Sequence, residues 1–144
     1  MKNLILVFSL LFSGIITAQE WSTSFSDAVK KAKEEQKQVL LVFSGSDWCA
    51  PCIKLDTEIW KSSEFKKYAE EHLVLYRADF PRKKKNRLAK DIELANKELA
   101  DTYNQQGFFP LVLLLDADKN ILGKTGYKNV SPLKYIAHLT TFVK

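Results

Sequence analysis

The sequence predicts a single mixed α/β domain: a central mixed sheet flanked by helices, closed by a C-terminal β-hairpin and helix. Three observations lead there. Segments of helical and strand period alternate along the chain. One strand segment, Val39-Leu40-Leu41-Val42-Phe43, is apolar at five consecutive positions. Near the end, two strand-like runs are joined by turn residues and followed by a Ser-Pro helix start.

The chain opens Met1-Lys2-Asn3, continues with an apolar run from Leu4 to Phe12, and reaches Ile16-Thr17-Ala18 before its first acidic residue, Glu20. A short positive start, an apolar stretch and a small residue have the form of a signal peptide cleaved after Ala18. Residues 1–18 are therefore expected to be the signal and residues 19–144 the domain. The apolar run is shorter than the roughly 20 residues of a membrane span; an uncleaved anchor is the other reading. No cysteine stands near the cut to carry a lipid. Removing residues 1–18 takes away Lys2 and lowers the formal net charge of +5 by one. That mild basic bias does not imply nucleic acid, and the remaining length suits one core, with no repeat or linker. The expected location is periplasmic or secreted, where disulfides persist.

Ser24-Phe25-Ser26-Asp27 supplies N-cap candidates for a short, largely solvated helix with Ala28, Val29 and Ala32 on its apolar side. Residues 39–44 form a strand. Because it lacks polar alternation, it should be covered on both faces and central in its sheet. Ile53 to Trp60 reads as a helix, and Ser62-Ser63-Glu64 caps another over residues 65–72. Residues 73–79 are a second strand. A basic run, Arg82-Lys83-Lys84-Lys85-Asn86-Arg87, precedes the longest helix, in which Leu88, Ile92, Leu94, Ala95, Leu99 and Tyr103 are expected in the core and Gly107 serves as the left-handed stop. Leu111 to Asp116 is a third strand. Ala117-Asp118-Lys119-Asn120 turns it back into residues 121–125, and Gly126 provides a bend or bulge. Ser131-Pro132 then caps a terminal helix with Leu133, Ile136, Ala137, Leu139 and Phe142 on its apolar side.

Both cysteines of the chain lie in Trp48-Cys49-Ala50-Pro51-Cys52, between the central strand and a helix. A C-x-x-C at such a junction is the sequence form of a thiol–disulfide redox site. A bridge closing so short a loop removes little chain entropy from the unfolded state, so it suits chemistry better than stapling. Cys49 would stand at a helix N-terminus, where unpaired N–H groups and the helix dipole favour a thiolate; it is the expected nucleophile. Cys52, one turn further in, is the expected buried resolving thiol. Pro51 is tolerated in the first turn, and Trp48 flanks the reactive sulfur.

With the cysteine pair after a central strand, Pro110 opening a later strand, and a hairpin followed by a closing helix, the chain resembles the thioredoxin-like family from about Val39 to its C-terminus. Ser44-Gly45-Ser46-Asp47-Trp48-Cys49 looks most like its secreted bacterial members. The resemblance implies that Pro110 is a cis-proline opposite the cysteines, and that Phe109 presents backbone groups to an extended substrate chain. Phe109 is bulkier than the residue usual there, and with Phe108 it suggests an apolar lip for a polypeptide; a trans-proline marking a strand start is the alternative. One departure stands out. Many thioredoxins carry a buried aspartate in the strand before the cysteines, and here that position is Val42 or Phe43. Asp47, Lys54 and Glu58 are the candidates to replace it.

A zinc site would need two more ligands, and His72 and His138 have no spacing that ties them to the cysteines; no metal and no cofactor is expected. The basic run reads more readily as a solvated loop than as a docking surface for an acidic partner or anionic lipid. Trp60 and Phe65 are expected in the core. The function expected is an exported thiol–disulfide oxidoreductase acting as a monomer. It would reduce protein or peptide disulfides and draw electrons from a membrane thiol reductase; a redox-inactive adaptor with a locked disulfide is the alternative.

Overall fold

The apolar run at residues 39–43 forms the strand on which the rest is assembled. The computed structural model describes residues 19–143, so the expected signal segment lies outside it. The elements are α1 (Phe25–Glu35), β1 (Gln38–Ser44), α2 (Ala50–Leu55), α3 (Ser63–His72), β2 (Leu73–Asp79), α4 (Lys90–Tyr103), β3 (Leu111–Leu115), β4 (Ile121–Thr125) and α5 (Pro132–Thr140). The sheet order is β2-β1-β3-β4. β1 pairs parallel with β2 and antiparallel with β3, and β3 and β4 form the hairpin, so the sheet is mixed and β1 is central. Trp21 adds a single parallel bridge to Leu75 at the far side of β2.

Residues 39–43 are at most 1% exposed, and successive side chains enter different layers. Leu40 and Val42 meet Leu55, Ile59, Trp60, Phe65, Tyr135 and Leu139, whereas Val39, Leu41 and Phe43 meet Ala28, Ala32, Tyr76 and Leu113. Burial on both faces leaves no position for a polar residue, which is why the run does not alternate. Each such side chain contributes on the order of 1.5–3 kcal/mol by leaving water.

Helix starts follow their caps. The hydroxyls of Ser24, Ser62 and Ser131 accept from the N–H groups of Asp27, Phe65 and Lys134. The cysteine helix is not α-helical throughout: α2 ends at Leu55 and a π-helical turn, Asp56–Trp60, carries the chain on.

Four expectations need correction. The long helix packs Leu99 and Tyr103 against the core as expected but leaves Leu94 and Ala95 in solvent. Leu94 is 54% exposed, and the residue of α4 that is buried is Asn96. The buried stripe runs Ile92, Asn96, Leu99, Ala100, Tyr103 at true helical spacing, and Leu94 lies off it. Asn96 is tolerated inside because it accepts from the Tyr76 hydroxyl at 2.7 Å and donates to the Asp79 carbonyl at 3.1 Å. Gly107 has the left-handed φ of 70° but does not stop the helix, which ends at Asn104. The bulge in the hairpin falls opposite Leu114 and Leu115, while Gly126 lies beyond β4, with its carbonyl accepting from Tyr135. In α5, Leu133 and Ala137 are exposed and Tyr135 takes the buried position with Leu139.

Candidate active site

β1 ends at Ser44, and the turn Gly45-Ser46-Asp47-Trp48 delivers Cys49 to the N-cap of α2. The N–H groups of Trp48 and Cys49 both donate to the Gly45 carbonyl, at 3.2 and 2.9 Å. Cys49 and Cys52 are joined in a disulfide with Cα atoms 5.2 Å apart. Cys49 caps the helix from an extended backbone, its Sγ accepting from the Cys52 N–H at 3.3 Å. Pro51 lies in the first turn, where its missing N–H interrupts no helical bond. Both cysteines are buried in this oxidised state, at 5% and 4% exposure.

Trp48 is locked rather than merely adjacent. A Cβ at position 45 would overlap its indole, so Gly45 is what lets the ring lie flat against the turn. Its Nε1 donates to the Phe80 carbonyl at 2.7 Å, the Arg82 guanidinium sits 3.8 Å above the ring, and Phe109 meets it edge-on at 5.4 Å.

Asp47 accepts from the N–H groups of Arg82 and Lys83, at 2.9 and 3.0 Å, and from the Asn86 amide at 2.8 Å. The Arg82 N–H and the Asn86 amide, with the Lys83 N–H and charge behind them, outweigh partial desolvation and hold this carboxyl below its ordinary range. Beside it, Asp79 accepts from the N–H and the hydroxyl of Ser46. The basic run is solvated, as expected, and carries a 3-10 turn, Lys84–Asn86, tied to Asp47.

The Phe109 ring that meets Trp48 also meets Phe80 at 5.5 Å and belongs to Phe108-Phe109-Pro110, with a cis bond between Phe109 and Pro110. Asn104 holds this segment. Its Oδ1 accepts from the Phe108 N–H and its Nδ2 donates to the Phe108 carbonyl, both at 2.9 Å, while the Phe108 ring is 57% exposed. A groove of about 680 Å³ runs past Tyr103, Asn104, Phe108, Phe109, Pro110 and Lys124.

Val42 and Phe43 leave no acid in β1, and none of the three candidates moves into the gap. Asp47 is committed to residues 82–86, Lys54 is exposed, and Glu58 accepts from the Tyr127 hydroxyl at 2.7 Å. A half-buried acid, Asp56, stands one turn beyond Cys52, and the sequence reading missed it. Arg77, opposite Val42 in the sheet register, donates to it at 2.6 Å, and the Lys61 ammonium lies 2.6 Å from its other oxygen. Burial pushes the Asp56 carboxyl up, but Lys61 and Arg77 together outweigh it and hold it below the usual value. The signal was Arg77, the one cation of β2, which is half-buried and also lies over Trp21 at 4.3 Å. His72 stacks on Tyr68, and His138 meets the Thr125 hydroxyl at 3.1 Å.

Comparison with known proteins points the same way. A family model described as thioredoxin-like matches residues 20–117. Over 125 residues the chain is 34% identical to the disulfide bond reductase DsbH of Chlamydia pneumoniae, covering 87% of this chain and 73% of that one. A solved structure titled DsbH oxidoreductase superposes with a TM-score of 0.81 at 31% identity, covering 88% of this chain and 85% of the other. A thioredoxin from Thermus thermophilus, at 14% identity and a TM-score of 0.65, shares the fold, covering 88% of each chain.

Proposed function

Because the chain belongs to the thioredoxin-like family and is a thiol–disulfide oxidoreductase, we propose that it works in the reducing direction on protein disulfides. The observation that carries the exchange is Cys49 at the N-cap of α2 with the Cys52 N–H directed at its Sγ, a donor suited to a thiolate, while the direction rests on the relatives and on Pro51.

In the cycle, the Cys49 thiolate attacks one sulfur of a substrate disulfide. An S–S bond forms between protein and substrate, and the substrate's other sulfur leaves as a thiolate that takes up a proton. Cys52 loses its proton and attacks the Cys49 sulfur, releasing the second substrate thiol and closing the Cys49–Cys52 disulfide. Two electrons pass to the substrate. A dithiol reductant then restores the protein, and a membrane thiol reductase is the donor class we assign. Trp48, Pro51, Phe109 and Pro110 form the surface that receives the substrate chain, with the exposed Phe108 ring as its apolar lip. The N-terminal pattern Met1 to Ala18 supports a periplasmic or secreted location. Proline before the second cysteine, and the reductase named among the relatives, support the direction.

A redox titration against a dithiol buffer, read with turnover of a protein disulfide, tests this. The expected potential is far below that of a strong oxidant, about −120 mV; a value near that figure overturns the reducing direction. Cys49→Ser should abolish turnover and Cys52→Ser should trap mixed disulfides.

A further inference from the structure

We infer that residues 82–87 form an electrostatic docking lip that selects substrates whose disulfide is flanked by acidic residues. The inference rests on the oxidoreductase reading and adds a substrate class to it.

Five of these six residues are cationic, and all six are exposed. Among the described residues none of the five makes an ion pair, and what sets them apart from other free lysines is that they follow one another along a single segment. The nearest acid, Asp47, accepts from two backbone N–H groups and the Asn86 amide, so it fixes the path of the segment while leaving its cationic side chains in solvent. Arg82 carries the charge to the rim of the disulfide by lying over Trp48 at 3.8 Å. A substrate chain passing from the disulfide toward the groove at Pro110 would meet Arg82 beside Trp48, where positive charge without an ion-pair partner favours Asp and Glu. A polypeptide fits better than a membrane, since no exposed large apolar residue lies within the segment to enter a bilayer.

The test compares two disulfide-linked peptides of equal length, one with Asp and Glu around its cysteines and one with Ser and Gln, by kcat/KM. At low salt the acidic peptide should be favoured on the order of tenfold. That ratio should collapse toward one at about 0.5 M salt, where screening is short-ranged. It should collapse likewise in Lys83→Ser/Lys84→Ser/Lys85→Ser and persist in a control, Lys30→Ser/Lys66→Ser/Lys67→Ser, that removes equal charge elsewhere. Equal rates at low salt overturn the inference, as does a preference that survives the first variant or is lost equally in the control. So does a flat ratio accompanied by loss, in the first variant, of cosedimentation with phosphatidylglycerol vesicles. If neither peptide is reduced, the oxidoreductase reading itself fails.

Discussion

The two segments that meet at Trp48, beside the disulfide, are held by different chemistry. On one side a surface carboxylate, Asp47, gathers two amide N–H groups and a side-chain amide from residues 82–86. On the other a buried amide, Asn104 at 5% exposure, grips both backbone groups of Phe108. The carboxylate sits among cations in water and titrates. The amide is neutral, shielded and indifferent to pH. One segment is therefore suited to long-range charge recognition and the other to a stable apolar contact.

The largest effect should come from breaking the buried clamp. Asn104→Ala leaves the Phe108 N–H and carbonyl without partners, and a loss of about 2 kcal/mol is expected in urea unfolding. A shift in midpoint of only a few tenths of that would show that water replaces the amide and that the segment is less shielded than its burial suggests. A smaller loss, about 1 kcal/mol, is expected for Gly45→Ala, which pushes the indole of Trp48 off the Phe80 carbonyl. An unchanged hydrogen-exchange pattern at residues 80–83 in that variant would mean the ring is not what joins the segments.

The smallest effect is local. Asp47→Ala should leave the unfolding midpoint nearly unchanged and speed amide exchange at Arg82 and Lys83. Acid should do the same to the native protein. Because the folded carboxyl is held below its ordinary value, its contribution is present above the carboxylate range and is lost as pH falls through that lowered value. Phe108, held by a group that does not titrate, should keep its protection through the same titration.

What was legible in the sequence is what neighbours in the chain decide. The apolar run of β1, the turn at residues 117–120, the Ser-Pro start of α5 and the cysteine pair at a strand end are local patterns, and each appears where expected. What was not legible joins distant residues. The partners of Asp47 lie 35 to 39 positions away, and Arg77 finds Asp56 across 21. In α4, following the apolar residues placed Leu94 and Ala95 inside because a polar residue, Asn96, occupies the centre of the buried stripe, held by hydrogen bonds to Tyr76 and Asp79 of β2.

The widened turn at Asp56–Trp60 gives the cysteine helix a phase. An α-helix advances about 100° per residue and a π-turn advances less, so the number of residues between Cys52 and Trp60 sets the angle between the disulfide and the aromatic cluster of Trp21, Phe65 and Tyr135. Thr57 stitches the widening by donating to the carbonyls of Ile53 and Lys54. A chain shortened by one residue at this turn would keep its cysteines and its hydrophobic composition, and would lose the alignment between its chemistry and its core.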